Sequence, residues 1–213
     1  LLKEADLLRS APGITTPRLH EVIQVEGRPV LVMDYIAGTT LRERIRSMEG
    51  IKISWLLDVA IAAERLIEGG WQCHGDLKPE NIIVNDLEEV FLIDPVPESC
   101  LEDRVVTTPW YNPFLRWDQK GDAQALAIMI YELMVGALPF DQVPWSLAGT
   151  CHTTHCEEER DLSLSMFLAC PPMREINALT PSHFEHIFHR AMCEEKYGLS
   201  ELRSDLEDFL LRH

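Results

Sequence analysis

The stretch His74-Gly75-Asp76-Leu77-Lys78-Pro79-Glu80-Asn81 puts a carboxylate (Asp76), an ammonium (Lys78) and a carboxamide (Asn81) close together on the chain. A second carboxylate, Asp94, follows thirteen residues after Asn81. Phosphoryl transfer needs such a set: a base or orienting group for the attacking hydroxyl, a cation against the charge of the transferring γ-phosphoryl, and hard oxygen ligands for magnesium. The bland alternative is a polar loop with a capping Asn and two solvated Asp residues. Composition alone favours that alternative; the spacing does not. A second cluster, Cys151-His152-Thr153-Thr154-His155-Cys156, crowds four metal-ligand side chains into six residues. Structural zinc sites draw their ligand pairs from two separate segments, so this run reads as a polar surface loop.

For Asp94 to work with Asp76 and Asn81, the chain must return to its own loop. Two short apolar runs, 82–84 and 90–93, with polar residues 85–89 turning between them, are spaced as strands that do so. Upstream, runs 19–25 and 29–35 flank Glu26-Gly27-Arg28 as a hairpin, preceded by a short amphipathic helical pattern over 1–9. Apolar residues at Trp55, Leu56, Val59, Ala60, Ala63, Leu66 and Ile67 repeat with helical spacing after a Ser54 N-cap, until Gly69-Gly70 ends the pattern. Residues 123–135 are apolar nearly all round, the mark of a helix at the centre of a helical body. The remainder is helical in character, and its last element sets Leu199, Leu202, Leu206, Phe209 and Leu210 on one face. Sheet elements precede a mainly helical body, an α+β arrangement.

The chain has 213 residues, 46% of them hydrophobic, which excludes a disordered polymer. A formal charge of −16 repels phosphate backbones and anionic lipid, so nucleic acid is not an expected partner. The longest apolar stretch, 125–138, is too short for a membrane span and is interrupted by Glu132. Six scattered cysteines read as free thiols, and the whole reads as a cytoplasmic protein.

The 74–81 stretch with Asp94 resembles the catalytic loop and magnesium motif of eukaryotic-like Ser/Thr protein kinases of the bacterial type, H-R-D-L-K-P-E-N followed by D-F-G. The resemblance runs in order from near Glu4 almost to Leu210. Glu4 is similar to the αC glutamate, 31–38 to the last N-lobe strand, gatekeeper and hinge, and Thr108-Pro109-Trp110-Tyr111 to the segment that receives the substrate. Asp122 resembles the αF aspartate that anchors the catalytic loop, and 196–206 the closing helix. The resemblance implies a kinase fold with residues 1–35 as a remnant of the N-lobe sheet and 36–213 as a mainly helical C-lobe. It implies ATP and Mg²⁺ as cofactors and a protein Ser/Thr hydroxyl as acceptor. Asp76 would accept or orient the hydroxyl proton, Lys78 neutralise the phosphoryl, and Asn81 with Asp94 hold Mg²⁺. Met33 would be the gatekeeper, the main chain of Asp34 and Ile36 would bond adenine, and Ile83 would lie under the ring; for Met33 and Ile83 an ordinary core role is an equal reading. Glu4 would pair with a β3 lysine, which together with a Gly-rich loop is expected upstream of Leu1, so that these 213 residues alone are expected to be inactive.

The departures from the pattern are specific. Gly75 replaces the arginine that reads an activation-loop phosphate, which argues against such switching although Thr107 is suitably placed. Pro95 replaces Phe-Gly after Asp94 and restricts the motif. Phe114 stands where a glutamate is expected and Lys196 where its arginine partner is expected, so that ion pair is absent on both sides. Two alternatives follow: a pseudokinase or nucleotide-binding regulatory module, and a small-molecule kinase of the aminoglycoside or choline type, against which Lys78-Pro79-Glu80 and Thr108 weigh.

Overall fold

The structure, a computed structural model, describes residues 5, 6, 8, 9, 15–47, 50–96, 108–114, 116–139 and 170–213. Glu4, Thr107 and the 151–156 run lie outside the described residues.

Strands β1 (Leu19–Val25) and β2 (Arg28–Met33) pair antiparallel, as the two runs flanking a turn predict. Their turn is Glu26 and Gly27, both at positive φ (51° and 77°), the mirror-image geometry whose twist suits a two-residue hairpin. The strand stops at Met33, short of residue 35, where the Asp34 amide donates to the Arg18 carbonyl at 3.0 Å. The chain then passes Gly38 into β3 (Thr39–Thr40), which pairs with β4 (Ile82–Val84), and β4 with β5 (Val90–Leu92). Gly38 is needed there: a Cβ would fall 2.6 Å from the Val84 carbonyl and 2.8 Å from Ile83 Cγ2.

Helix α1 (Leu41–Ser47) is started by a capping box. The Thr40 amide donates to Glu43 Oε2 at 2.8 Å and the Glu43 amide to Thr40 Oγ1 at 3.2 Å. Helix α2 (Ile53–Glu68) begins earlier than periodicity indicates: Lys52 holds the cap position without a side-chain cap bond, and Ser54, expected as N-cap, lies inside the first turn. The reason is backbone pairing, Trp55 N to Lys52 O at 3.1 Å, which starts the helix ahead of the hydroxyl. Helix α3 (Gln119–Val135) likewise starts before residue 123, because Asp118 caps it by accepting the Gly121 amide at 2.8 Å. Every residue from Lys120 to Glu132 is buried, as an all-round apolar helix requires.

Helices α4 (Met173–Ile176), α5 (Ser182–Cys193) and α6 (Leu199–Arg212) complete the body, with α2 packed on α6 and α3 on α5. Leu199, Leu202, Leu206 and Phe209 are buried, each worth about 1.5–3 kcal/mol. Leu210 is 37% exposed rather than buried: one residue past Phe209, it turns off the apolar stripe. Among the described residues the fold is thus α+β: a two-stranded antiparallel sheet, a three-stranded one whose β3 and β4 are separated by α1 and α2, and helices from α3 onward. Among the described residues Cys73, Cys170 and Cys193 are free thiols, and no helix is long and apolar enough to cross a membrane.

Candidate active site

The loop 74–81 is held from below by α3. Asp122, buried in its first turn, accepts the amides of His74 and Gly75 at 2.6 and 3.0 Å. Burial pushes this carboxyl up to about 7, against the pull of the two amides. Gly75 has φ +83°, and a Cβ there would sit 2.1 Å from the Trp117 ring. The arginine of the resembled pattern therefore has no space at this position. His74 is fully buried and its Nε2 faces the Ile93 carbonyl at 3.0 Å, so that nitrogen carries the proton and Nδ1 receives the Asp76 amide at 3.4 Å. Burial pulls the imidazole down to about 4, keeping it neutral.

These bonds also bring the second carboxylate home. The Ile93 amide donates to the Asn81 carbonyl at 3.0 Å and the Val96 amide to the His74 carbonyl at 2.8 Å, so the backbone is pinned to the loop on both sides of Asp94. Asp94 itself is exposed, at φ 56°, with buried Pro95 behind it. Its carboxylate makes no hydrogen bond or ion pair among the described residues.

Asp76 gathers four donors from the chain. Oδ1 accepts the Thr108 amide at 2.8 Å and hydroxyl at 2.9 Å; Oδ2 accepts Lys78 Nζ at 2.6 Å and Asn81 Nδ2 at 3.2 Å. Lys78 Nζ also donates to Thr108 Oγ1 at 2.8 Å. Asn81 Nδ2 additionally donates to the Asp76 carbonyl at 2.9 Å. Both Asn81 partners are acceptors, which fixes the amide nitrogen toward Asp76 and leaves Oδ1 as the free end. A hard cation wants oxygens of the kind that Asn81 Oδ1 and the Asp94 carboxylate supply. Among the described residues no group of three or more His, Cys, Asp or Glu is assembled. The Asp76, Lys78 and Thr108 set can hold a hydroxyl between a proton acceptor and a cation.

The residues expected around adenine fall along one path. Met33 ends β2 and is 37% exposed, so the reading of it as an ordinary core residue is corrected: it pairs with Leu19 on a two-stranded sheet that cannot enclose it. Asp34 is tied to β1, its carboxylate meeting His20 Nε2 at 2.6 Å and the Arg18 amide at 3.2 Å. Ile36 is half-buried, and half-buried Ile83 lies against the Gly38 turn that ends this path.

One part of the site escaped the sequence reading. Arg42 on α1 donates from Nε to Glu80 at 2.7 Å, from Nη1 to Glu132 at 2.6 Å, and from Nη2 to the Tyr111 hydroxyl, which donates to Glu132 Oε2 at 2.6 Å. Burial would lower the guanidinium's pKa, but Glu132 and Glu80 outweigh it and the net shift is upward. The local signal was Thr40-x-x-Glu43, which announces a helix start and hence a rigid place for Arg42. Phe114 packs against the core and Lys196 is exposed with no ion pair among the described residues.

The chain is similar to Ser/Thr protein kinases from bacteria and eukaryotes. It is 28% identical over 217 residues to serine/threonine-protein kinase ppk16 of Schizosaccharomyces pombe, covering 90% of this chain and 31% of that protein. It is 23% identical over 192 residues to serine/threonine-protein kinase PrkC of Bacillus subtilis, covering 83% and 28%. With serine/threonine-protein kinase Nek3 of Mus musculus it shares 26% over 163 residues, covering 67% and 31%. The chain spans between 28% and 31% of the length of these relatives. No protein-family model matches it. These likenesses and the α+β architecture identify a Ser/Thr protein-kinase-like region with the corresponding fold.

Proposed function

We propose that this kinase-like region is the catalytic part of a cytosolic Ser/Thr protein kinase that transfers the γ-phosphoryl of ATP to a protein hydroxyl, with 1–35 a remnant of the small lobe and 36–213 the large lobe. The observation that carries the reading is Lys78 Nζ bridging Asp76 Oδ2 and Thr108 Oγ1, at 2.6 and 2.8 Å. In this reading Asp76 orients and deprotonates the attacking hydroxyl, Lys78 faces the charge of the transferring group, and Thr108 fixes both. Asn81 and Asp94 would hold Mg²⁺, which when bound neutralises phosphate charge. The Asp34 and Ile36 main chain would receive adenine between Met33 and Ile83, and Glu4 would orient a phosphate-binding lysine.

Thermal unfolding with ATP tests the nucleotide half. At about one hundred times Kd, ligand adds about 2.7 kcal/mol, which for a chain of this size raises Tm by about 5–10 °C. A Mg²⁺-dependent increment is expected in the natural chain and is expected to vanish in Asn81→Ala and Asp94→Ala; an increment that survives both substitutions refutes the metal assignment. Phosphotransfer from γ-labelled ATP to a Ser/Thr protein substrate, measured on the full natural protein, is expected to be lost in Asp76→Asn. One observation favours a second reading, a nucleotide-binding regulatory module: the chain itself fills both oxygens of Asp76 with donors. Mg-ATP binding without any phosphotransfer selects that reading.

A further inference from the structure

Arg42 has no place in the roles above, yet its side chain is only 14% exposed and all of its nitrogens are committed, to Glu80, Glu132 and Tyr111. Two of those partners sit on stretches that carry the reacting groups. Glu80 lies in the 3-10 turn Pro79–Asn81, next to the asparagine whose carboxamide holds Asp76. Tyr111 closes a turn on Thr108: the amides of Tyr111 and Asn112 donate to the Thr108 carbonyl at 2.9 and 3.0 Å, while Thr108 holds Asp76 by its amide and hydroxyl. The contacts run in a closed ring from Asp76 through Thr108, Tyr111, Arg42, Glu80 and Asn81 back to Asp76. Glu132, 10% exposed on α3, anchors the ring to the core.

A segment held to Asp76 at Thr108 alone can pivot about that attachment, whereas one held at Thr108 and again at Tyr111 cannot. We infer that Arg42 is a positioning residue, the clamp that sets residues 108–111 against Asp76 and so directs the approach of the substrate hydroxyl. The functional half of this inference rests on the kinase reading; the clamp does not.

Arg42→Ala would strand Glu132 as a buried, uncompensated carboxylate and can unfold the chain, so two milder variants carry the test. Arg42→Lys keeps the charge beside Glu132 but cannot fork to three partners. Glu80→Ala opens the ring at a carboxylate that is 44% exposed and leaves the Arg42, Glu132 and Tyr111 contacts in place. Hydrogen exchange on the full chain, read by mass spectrometry, is expected to accelerate about tenfold or more across 108–114 in Arg42→Lys and to keep its natural rate there in Glu80→Ala, whose Tyr111 attachment is intact, with α3 peptides unchanged in both. With Arg42→Lys in the full natural protein, KM for a protein substrate is expected to rise about tenfold while KM for Mg-ATP stays fixed, since only interactions with the accepting substrate are disturbed. Unchanged exchange at 108–114 in Arg42→Lys, equal acceleration in α3, or the same loosening in Glu80→Ala overturns the clamp. Loosening confined to 108–114 with an unmoved KM for the protein substrate overturns the positioning role. Loosening there in a protein that shows no phosphotransfer at all keeps the clamp and overturns the kinase reading instead.

Discussion

Position 75 joins two constraints in one residue. Its φ of +83° disfavours any side chain, and a methyl group would meet the Trp117 ring at 2.1 Å. The shape of the loop that bears Asp76 is thus set by Asp122 from below and Trp117 alongside, with no arginine at this point to answer to a phosphate elsewhere. Gly75→Ala is expected to destabilise the chain by roughly 2–4 kcal/mol, combining left-handed strain with overpacking. The two causes separate in a double-mutant cycle read by denaturant unfolding. Trp117→Ala in the Gly75→Ala background should relieve the overpacking and leave the backbone strain, giving a coupling of about 1–3 kcal/mol. Additive effects of the two substitutions would mean that the ring does not confine position 75.

Helix α1 has seven residues, too short to stand on propensity, and it carries Arg42 two positions after the Thr40 cap. The capping box is therefore part of how the clamp is aimed. Thr40→Ala is expected to cost about 1 kcal/mol in denaturant unfolding and to speed amide exchange in α1; a variant indistinguishable from the natural chain in both measurements would show that packing of Leu41 alone orders the helix. This element also marks where reading the sequence stops. α2 was legible because its period is long enough to repeat, α3 because it is apolar nearly all round, the hairpin because two extended runs flank a turn, and 74–81 because its chemistry is packed into consecutive residues. The helix starts were misplaced where backbone pairing at Lys52 or a cap at Asp118 preceded the apolar pattern. The Arg42 ring was invisible because it joins residues up to 90 positions apart, and nothing local in Glu80, Tyr111 or Glu132 announces a shared guanidinium. Glu4 and the 151–156 run remain sequence readings outside the described residues.

At the scale of the whole molecule, His74 and Asp122 tie the 74–81 loop both to the strand end that leads into Asp94 and to the central helix. Both are buried, and their protonation equilibria oppose one another. His74 is pulled from its ordinary 6.5 to about 4, so its contribution to stability is present above 6.5 and is lost as pH falls through 4. Asp122 is pushed from 3.8 to about 7, so its contribution is present at acid pH and is lost as pH rises through 7. Each changes stability by about 1.4 kcal/mol per pH unit inside its window, with opposite sign, so between about 4 and 6.5 the pair nearly cancels. Single substitutions unmask the halves. With Asp122→Asn, unfolding free energy is expected to climb by roughly 3 kcal/mol relative to the natural chain as pH goes from 4 to 6.5. With His74→Gln it is expected to fall by a similar amount over that interval. Subtracting the natural chain's profile from each variant's, from denaturant titrations at half-unit pH steps, removes the other titrating groups. Two flat difference profiles would mean that neither group is held in its buried protonation state, and the loop would then need another account of how Asp76 is kept beside Asn81.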